Sequence, residues 1–179
     1  MRYSNIFIST MKYITQKEAQ LIDKELVEKY KFSVPQLIEL AGLSVSHAIY
    51  ECYKPSIFTN ILVCVGAGNN GCDGLVSARN LSLMGYNVSI YCPKEGKSEI
   101  FSNLFAQAQF YNVRTISTES EFSSKLNEKS FELIVDALFG FSFKPPLRPP
   151  YDTIIHTLSS TSIPICSVDL PSGIFYNYI

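Results

Sequence analysis

The sequence predicts an α/β fold in three layers, with helices on both faces of a mostly parallel sheet and two further helices at the amino end. One observation is the apolar run 61–65, which is followed by a glycine-dense turn and a helical pattern, as in the first half of a βαβ unit. Another is that short apolar runs typical of strands alternate with helical patterns as far as residue 168. Such alternation favours a parallel sheet covered on both faces.

The turn at residues 66–74 carries the first functional signal. Its glycines have the spacing G-x-G-x-x-G at Gly66, Gly68 and Gly71, which is the fingerprint of Rossmann-like dinucleotide-binding folds. Glycines let backbone N–H groups approach a ligand closely, and the amino end of the following helix attracts phosphate. The spacing alone is a weak signal, so the residues between the glycines must support the interpretation.

Polar side chains within this turn suggest more than a phosphate cradle. Asn69 and Asn70 supply amide oxygens, and Asp73 is expected in the first turn of the next helix. A lone carboxylate beside a pyrophosphate would repel it, which favours a polar site that holds a cation. The alternative is purely local, with Asp73 capping the helix and the asparagines accommodating the turn. The residues leave both interpretations open.

Two helices are expected before the first strand. A capping box from Thr15 to Glu18 predicts the start of the first helix. The second is expected to begin at Ser33, with Pro35 in its first turn. Its predicted buried side consists of Leu37, Leu40, Ala41, Val45, Ala48 and Ile49.

The remaining strands and helices place polar residues at one edge of the sheet. Strands are predicted at 61–65, 87–92, 113–116, 131–135 and 163–168, and helices at 73–84, around 100–108, at 119–126 and at 151–158. Asp136 and Asp169 are each expected directly after a strand. Since the carboxyl ends of parallel strands share one edge, both carboxylates and the asparagine pair should converge on one crevice. Taken singly, each aspartate could instead be an ordinary turn residue.

The loop after Asp136 is a second candidate for binding phosphate. Its backbone N–H groups, the Ser142 hydroxyl and the Lys144 ammonium suit an anion. Pro145 and Pro146 follow, and each removes a backbone donor from the loop.

Composition limits the classes of function. The chain has 179 residues, 46% hydrophobic and 17% charged, as expected of one globular domain that does not span a membrane. Its net charge of −1 gives no electrostatic argument for nucleic acid or an anionic membrane as a partner. Five cysteines without C-x-x-C spacing favour a reducing compartment such as the cytoplasm. The first ten residues contain Arg2 and no acid, which leaves mitochondrial import as an alternative.

Four stretches together resemble the YjeF N-terminal domain family, the NAD(P)H-hydrate epimerases, which includes a protein described as apolipoprotein A-I-binding. The stretches are 33–42, 66–74, 136–144 and 169–173, and they follow the family's order. The departures from the usual family motifs are Ala67, Cys72, Pro145, Pro146 and Ile174. The resemblance implies a domain spanning 12–179 that lacks the family's carboxyl-terminal part, preceded by an extension at 1–11.

The resemblance also implies an activity and a set of site residues. The activity is interconversion of the R and S epimers of NADHX and NADPHX, the hydrates of reduced nicotinamide cofactors. A potassium ion, a hard cation suited to oxygen ligands, would be held by Asn70, Asp136 and Ser172. Substrate binding would involve Asn69, Asn70, Gly71, Cys72, Asp73, Gly140, Phe141, Ser142, Phe143, Lys144, Pro145, Pro146 and Asp169. A homodimer and an NAD(P)H-hydrate dehydratase as functional partner are further implications.

Epimerisation needs a group that gives and takes a proton, and our hypothesis assigns Asp169 as this general acid/base. Two other functions remain open. An NAD-dependent oxidoreductase would place an acid at the end of the second strand, where Lys94 instead precedes Glu95 and suits a 2′-phosphate. The other alternative is a non-catalytic Rossmann-like binding or dimerisation module. Retention of Asn70, Asp136, Asp169 and Ser172 favours the enzyme.

Overall fold

The computed structural model describes residues 14–173, and the chain divides into two compact units at 1–33 and 34–179. Within the first unit, helix α1 (Gln16–Glu28) begins with the predicted capping box. The Thr15 backbone N–H donates to the Glu18 carboxylate at 2.7 Å, and the Glu18 N–H donates to Thr15 Oγ1 at 3.3 Å. The predicted start of this helix is therefore confirmed. The predicted extension at 1–11 lies outside the described residues.

The second unit is a parallel sheet covered by helices. Its elements in chain order are α2 (Val34–Cys52), β1 (Asn60–Val65), α3 (Asn69–Leu83), β2 (Asn87–Tyr91), α4 (Glu99–Phe110), β3 (Arg114–Ile116), α5 (Glu119–Asn127), β4 (Leu133–Ala137), α6 (Tyr151–Ser160) and β5 (Ile165–Ser167). The strand order is β3-β2-β1-β4-β5, and each neighbouring pair is parallel. This confirms the predicted three-layer α/β/α fold. The order reverses beside β1, which is where such sheets bind ligands.

Alternate residues of the central strand β1 build two cores. Val63 faces the layer of α2, α3 and α4, in which Leu75 and Phe101 are buried. Leu62 faces the opposite layer of α5 and α6, in which Phe122 and Ile154 are buried. Both faces of β1 are apolar because the strand is covered on both sides. The central strands are therefore fixed in register, and their carboxyl ends are held at one edge.

Helix α2 buries only part of its predicted side: Ile49 is buried and Val45 packs against the core. Its buried residues are Ile38, Gly42, Ser46 and Ile49, whereas Leu40 is 53% exposed. A Cβ on Gly42 would lie 2.5 Å from the Cβ of Val76, so the absence of a side chain lets α2 pack closely on α3. Ser46 satisfies its buried hydroxyl by donating to the Gly42 carbonyl at 2.8 Å. Small residues line much of this interface, so apolar spacing alone predicted the buried side only in part.

Two predicted boundaries near the carboxyl edge were wrong. Helix α3 begins at Asn69, so Asp73 lies in its second turn and does not cap it. Strand β4 continues to Ala137, so Asp136 is part of the strand and pairs with Cys64 of β1 and Ser167 of β5. The main chain of Asp136 is therefore fixed by ladders on both sides.

Within residues 14–173, no helix is both long and apolar enough to cross a lipid bilayer.

Candidate functional site

The glycine-rich turn packs directly on the strand that carries Asp136. The Gly66 N–H donates to the Ala137 carbonyl at 3.0 Å, and a Cβ on Gly66 would lie 1.9 Å from the Leu138 carbonyl oxygen. A Cβ on Gly71 would lie 1.7 Å from the Gly66 carbonyl oxygen. Only glycine fits at these two positions. The chain then enters α3 through Gly68, which caps the helix without a side-chain hydrogen bond, so first-turn N–H groups stay available to a ligand.

Asp136 is 5% exposed, and its carboxylate accepts hydrogen bonds from surrounding loops. Ser172 donates twice, from its hydroxyl to Oδ1 at 2.6 Å and from its backbone N–H to Oδ2 at 2.8 Å. The Leu138 N–H donates to Oδ1 at 3.2 Å, and the Ser167 hydroxyl donates to Oδ2 at 3.3 Å. A buried carboxylate needs such partners, because an unpaired charge is expensive to bury. Asp136 thereby ties the loop after β5 to the end of β4.

Ser172 extends this network to the loop after β4. Its hydroxyl oxygen accepts the Phe139 N–H at 2.9 Å, which fixes the backbone immediately before Gly140. The family resemblance implied Ser172 as a partner of Asp136 at the predicted cation site, whereas Ser167 was not among the predicted site residues. A signal for Ser167 existed, because it is a polar residue in a short strand beside a strand that carries a buried acid.

Asp169 and Asn70 both approach Gly140 at the position that a Cβ would occupy. The Phe141 N–H donates to Oδ2 of Asp169 at 2.6 Å. A Cβ on Gly140 would lie 2.6 Å from this Oδ2 and 3.2 Å from Oδ1 of Asn70. Through Gly140 and the neighbouring Phe139, the structure brings Asn70, Asp136 and Asp169 to one continuous cluster, which we call the crevice cluster.

Asp169 and Asn70 each show a local irregularity. Asp169 has a φ of +63°, a left-handed conformation that non-glycine residues adopt uncommonly. Asn70 Nδ2 is buried and has no hydrogen-bond partner among the described residues. An unsatisfied buried donor costs about 1–3 kcal/mol, and both strain and unpaired polar groups concentrate at functional sites. The crevice cluster therefore has the marks of a ligand site.

The loop 140–146 contributes side chains less directly. Ser142 and Lys144 are exposed, and no hydrogen bond within residues 14–173 ties either to the crevice cluster. Phe143 folds back so that its ring lies 4.6 Å from that of Phe139, and its N–H donates to the Gly140 carbonyl at 3.0 Å. Pro145 and Pro146, joined by a cis peptide bond, end the loop.

Tyr151 lies near both this loop and the glycine-rich turn. It was not among the predicted site residues. Its ring packs against Phe139 at 4.8 Å, edge to face. Burial raises the pKa of the Tyr151 hydroxyl, nearby Cys92 raises it further, and a backbone hydrogen bond from Ala67 lowers it. Tyr151 therefore contacts both walls of the crevice.

Two residues of the implied substrate-binding set face elsewhere or lie deeper. Cys72 is 2% exposed and packs in the core between the sheet and α3. Burial raises the pKa of its thiol to about 11, and the neighbouring Asp73 adds to this shift. Its backbone N–H donates to the Gly68 carbonyl at 3.1 Å. Asp73 is partly buried in the second turn of α3.

Two clefts are candidates for the ligand site. One of about 300 Å³ adjoins Asp136 and Ser172 and runs along β5 between Ile165 and Leu158. A wider one of about 980 Å³ lies at the opposite edge, where Asn60, Asn87 and Arg114 mark the amino ends of the strands. Ligands of open parallel sheets bind at the carboxyl edge, so the crevice cluster is the stronger candidate despite the larger cleft elsewhere.

Comparisons with known proteins identify the family. Residues 34–177 match the family described as YjeF-related protein N-terminus. NAD(P)H-hydrate epimerases of Anopheles gambiae and Anopheles darlingi are each 51% identical over 163 residues, which are 91% of this chain and 70% of those proteins. The NAD(P)H-hydrate epimerase of Aedes aegypti is 48% identical over 166 residues, covering 91% of this chain and 71% of that protein.

A solved structure extends the comparison to the fold. The crystal structure of yeast ynu0, YNL200c, matches with a TM-score of 0.84 and 39% identity, covering 91% of this chain and 72% of that one. The chain thus spans about 70% of the length of these curated relatives. The match over residues 34–177 confirms the resemblance seen in the four sequence stretches: the chain belongs to the family of YjeF-related protein N-termini.

Proposed function

We propose that the crevice cluster is the active site of an NAD(P)H-hydrate epimerase, an isomerase that interconverts the R and S forms of NADHX and NADPHX. The enzyme class follows from the three mosquito relatives, all named NAD(P)H-hydrate epimerase and 48–51% identical to this chain. The observation that carries the assignment of the site is the meeting of Asp169 and Asn70 around Gly140, beside the buried Asp136.

Asp169 is the proposed general acid/base. Asp136 is buried, and each of its oxygens accepts two hydrogen bonds, so it is poorly placed to exchange protons with a substrate. Asp169 is exposed, and only Oδ2 accepts a hydrogen bond within the described residues, from Phe141. Its Oδ1 is free to take or give a proton at the hydroxyl-bearing carbon of the substrate. The left-handed backbone of Asp169 supports this role, because strain of this kind often accompanies function.

The substrate is positioned by the two loops that flank Asp169. On one side lie residues Asn69 to Asp73, of which Asn69, Asn70 and Gly71 offer the first-turn N–H groups of α3 that suit the pyrophosphate of a dinucleotide. On the other side, the backbone of Gly140 to Pro146 follows the fixed Phe139. The unpaired Nδ2 of Asn70 supplies a donor for a substrate oxygen. Holding the reacting carbon still against Asp169 is the main contribution expected of these loops.

A potassium ion fits the oxygen atoms of the crevice cluster. Asp136, the Ser172 hydroxyl and the Asn70 amide are hard oxygen donors of the kind that alkali cations prefer. No salt bridge within residues 14–173 involves Asp136 or Asp169, so the carboxylates of the cluster have no cationic side chain in contact with them. We assign Asn70, Asp136 and Ser172 as the residues that hold this ion. Bound there, it would supply positive charge next to the substrate.

The experiment that tests the assignment is the Asp169→Asn variant. Asparagine keeps an oxygen that accepts the Phe141 N–H and adopts the left-handed conformation readily, so the fold should persist. We expect the rate of R/S interconversion of NADHX, followed by chromatography, to fall by at least about 100-fold. Asp152→Asn, an exposed aspartate in the first turn of α6, is the matched control and should keep its activity. An active Asp169→Asn enzyme would overturn the assignment.

A homodimer is the assembly we propose for this enzyme. Support comes from the outer side of α2, where Leu40, Leu43 and Tyr50 recur at helical spacing and are exposed. An apolar stripe of this kind on a surface helix suits a second protein surface. The proposed functional partner is an NAD(P)H-hydrate dehydratase, since a dehydratase that accepts one epimer needs an enzyme that converts the other.

The cytoplasm is the compartment we propose. All five cysteines lie within the described residues, and all are free thiols. Burial raises the pKa of the thiols of Cys72 and Cys92 to about 11 each, so both stay protonated and unreactive at neutral pH. Free thiols of this kind are typical of reducing compartments.

A further inference from the structure

The loop between β2 and α4 lies against the glycine-rich turn. A Cβ on Gly96 would lie 2.7 Å from the Ala67 carbonyl oxygen and 2.6 Å from the ring of Phe101. The absence of a side chain at Gly96 therefore lets the loop backbone touch the turn. This close approach places the loop, and with it Lys94, beside the glycine-rich turn at the rim of the crevice.

The strand order indicates which half of a bound dinucleotide would lie beside the loop that carries Lys94. β2 lies on one side of β1, whereas β4 and β5 lie on the other side. In folds of this kind the dinucleotide crosses the carboxyl edge, and its adenosine ribose lies at the end of the second strand. Asp169 follows β5, so the reacting nicotinamide half belongs on the far side of the glycine-rich turn. The adenosine half then lies beside the loop that carries Lys94.

The charge of the side chain at the end of β2 distinguishes NADHX from NADPHX, because only NADPHX carries a 2′-phosphate on the adenosine ribose. Enzymes specific for the unphosphorylated ribose carry an acid at the end of the second strand, and a basic side chain accommodates a 2′-phosphate. Here the first charged residue after β2 is Lys94. It is exposed, and no salt bridge within residues 14–173 involves it. Its ammonium is therefore free to pair with a phosphate monoester, which carries a charge of about −1.5 to −2 at neutral pH.

We propose that Lys94 is the residue that favours NADPHX over NADHX by pairing with the 2′-phosphate of the adenosine ribose. The substrate class rests on the function proposed above. The role of Lys94 is one of binding specificity, so it acts on KM rather than on the proton transfer at Asp169.

The first test is kinetic and uses Lys94→Ala with Lys97→Ala as the matched control from the same loop. We expect KM for NADPHX to rise about fivefold or more in Lys94→Ala, with kcat unchanged and NADHX unaffected. Lys97→Ala should change neither substrate, and Lys94→Arg should restore most of the preference. Equal changes for both substrates in Lys94→Ala, or no change for either, would overturn the proposal.

A second test separates this proposal from the epimerase assignment. Calorimetric titration of the purified chain with adenosine 2′,5′-bisphosphate and with 5′-AMP measures 2′-phosphate recognition without any catalysis. We expect the bisphosphate to bind at least about fivefold tighter, with the difference lost in Lys94→Ala, kept in Lys97→Ala and weakened by added salt. Equal affinities in the parent chain would refute the role of Lys94 even in an active epimerase. A preference that depends on Lys94 in an inactive chain would uphold it while the epimerase assignment fails.

Discussion

Asp136 and Asp169 sit at the same edge of the sheet, but their surroundings give them different roles. Asp136 lies inside β4 and accepts four hydrogen bonds, two of them from Ser172. Asp169 lies in a loop and accepts one, from the Phe141 N–H. The first carboxylate is held as a fixed negative charge, and the second remains accessible to a substrate. The sequence shows both as acids near strand ends and does not distinguish them.

At the residue scale, Ser172→Ala tests how far Asp136 depends on one hydroxyl. The substitution removes a 2.6 Å donor from Oδ1 and leaves the Phe139 N–H without its acceptor. Each loss leaves a buried polar group poorly paired, so we expect the free energy of unfolding to fall by about 1–3 kcal/mol. Urea denaturation followed by circular dichroism measures the change.

The matched control is Ser162→Ala, which removes a hydroxyl from an exposed position. We expect it to alter stability by about 0.5 kcal/mol or less. If both variants unfold at the same urea concentration, the hydrogen bonds of Ser172 do not stabilise the crevice cluster.

Part of the site could be predicted because its residues lie at the carboxyl ends of parallel strands, which share one edge of the sheet. Asn70, Asp136 and Asp169 were expected at one edge, and the structure places them in one cluster. The close approach of Asn70 and Asp169 at Gly140 could not be predicted, because it depends on the absence of a side chain at Gly140 and on a backbone N–H group. Tyr151 was also missed, since its contact with Ala67 joins two loops that are distant in sequence.

At the scale of elements, the glycine-rich turn and the start of α3 form one compact piece. Glycine and asparagine are poor helix formers, so the sequence predicted a helix start at Asp73. In the structure α3 begins at Asn69, directly after the turn in which Gly66 packs tightly against the end of β4. The buried face of α2 was predicted only in part for a related reason: Gly42 and Ser46 pack closely, although neither is strongly apolar. In both places the close approach of two backbones decides the structure, against helix propensity at the start of α3 and against hydrophobic spacing on α2.

Gly71→Ala tests this packing. The added Cβ would lie 1.7 Å from the Gly66 carbonyl oxygen, a backbone atom that can move only with the turn itself. We expect a loss of about 3 kcal/mol or more in the free energy of unfolding, or a chain that does not fold. Thermal denaturation followed by circular dichroism measures the loss.

Gly68→Ala is the control from the same turn. No atom lies within 4 Å of a Cβ placed on Gly68, and its φ of −105° is open to alanine. A cost of about 1 kcal/mol or less is expected, since only the capping preference changes. Equal losses in the two variants would mean that conformational freedom, rather than space, selects glycine here.

At the scale of the whole molecule, the fold concentrates negative charge that the chain as a whole does not carry. The net charge is only −1, yet the crevice cluster joins two carboxylates from separate strand ends. The ion pairs within residues 14–173 are Lys24 with Glu28, Lys54 with Glu51 and Arg79 with Glu39, and none involves these carboxylates. A buried carboxylate such as Asp136 without a cationic partner costs free energy that a bound cation would offset. The stability of the folded chain is therefore expected to depend on the cation in solution.

Melting temperature in different salts measures this dependence directly. Potassium that binds only the folded state at ten times its dissociation constant adds about 1.4 kcal/mol to the free energy of unfolding. For a chain of this size, that gain raises the melting temperature by about 3–6 °C. Tetramethylammonium chloride at the same concentration provides equal screening without a fitting ion. We expect potassium to raise the melting temperature above this reference and Asp136→Asn to abolish the difference; equal melting in both salts would exclude a stabilising potassium ion at the crevice cluster.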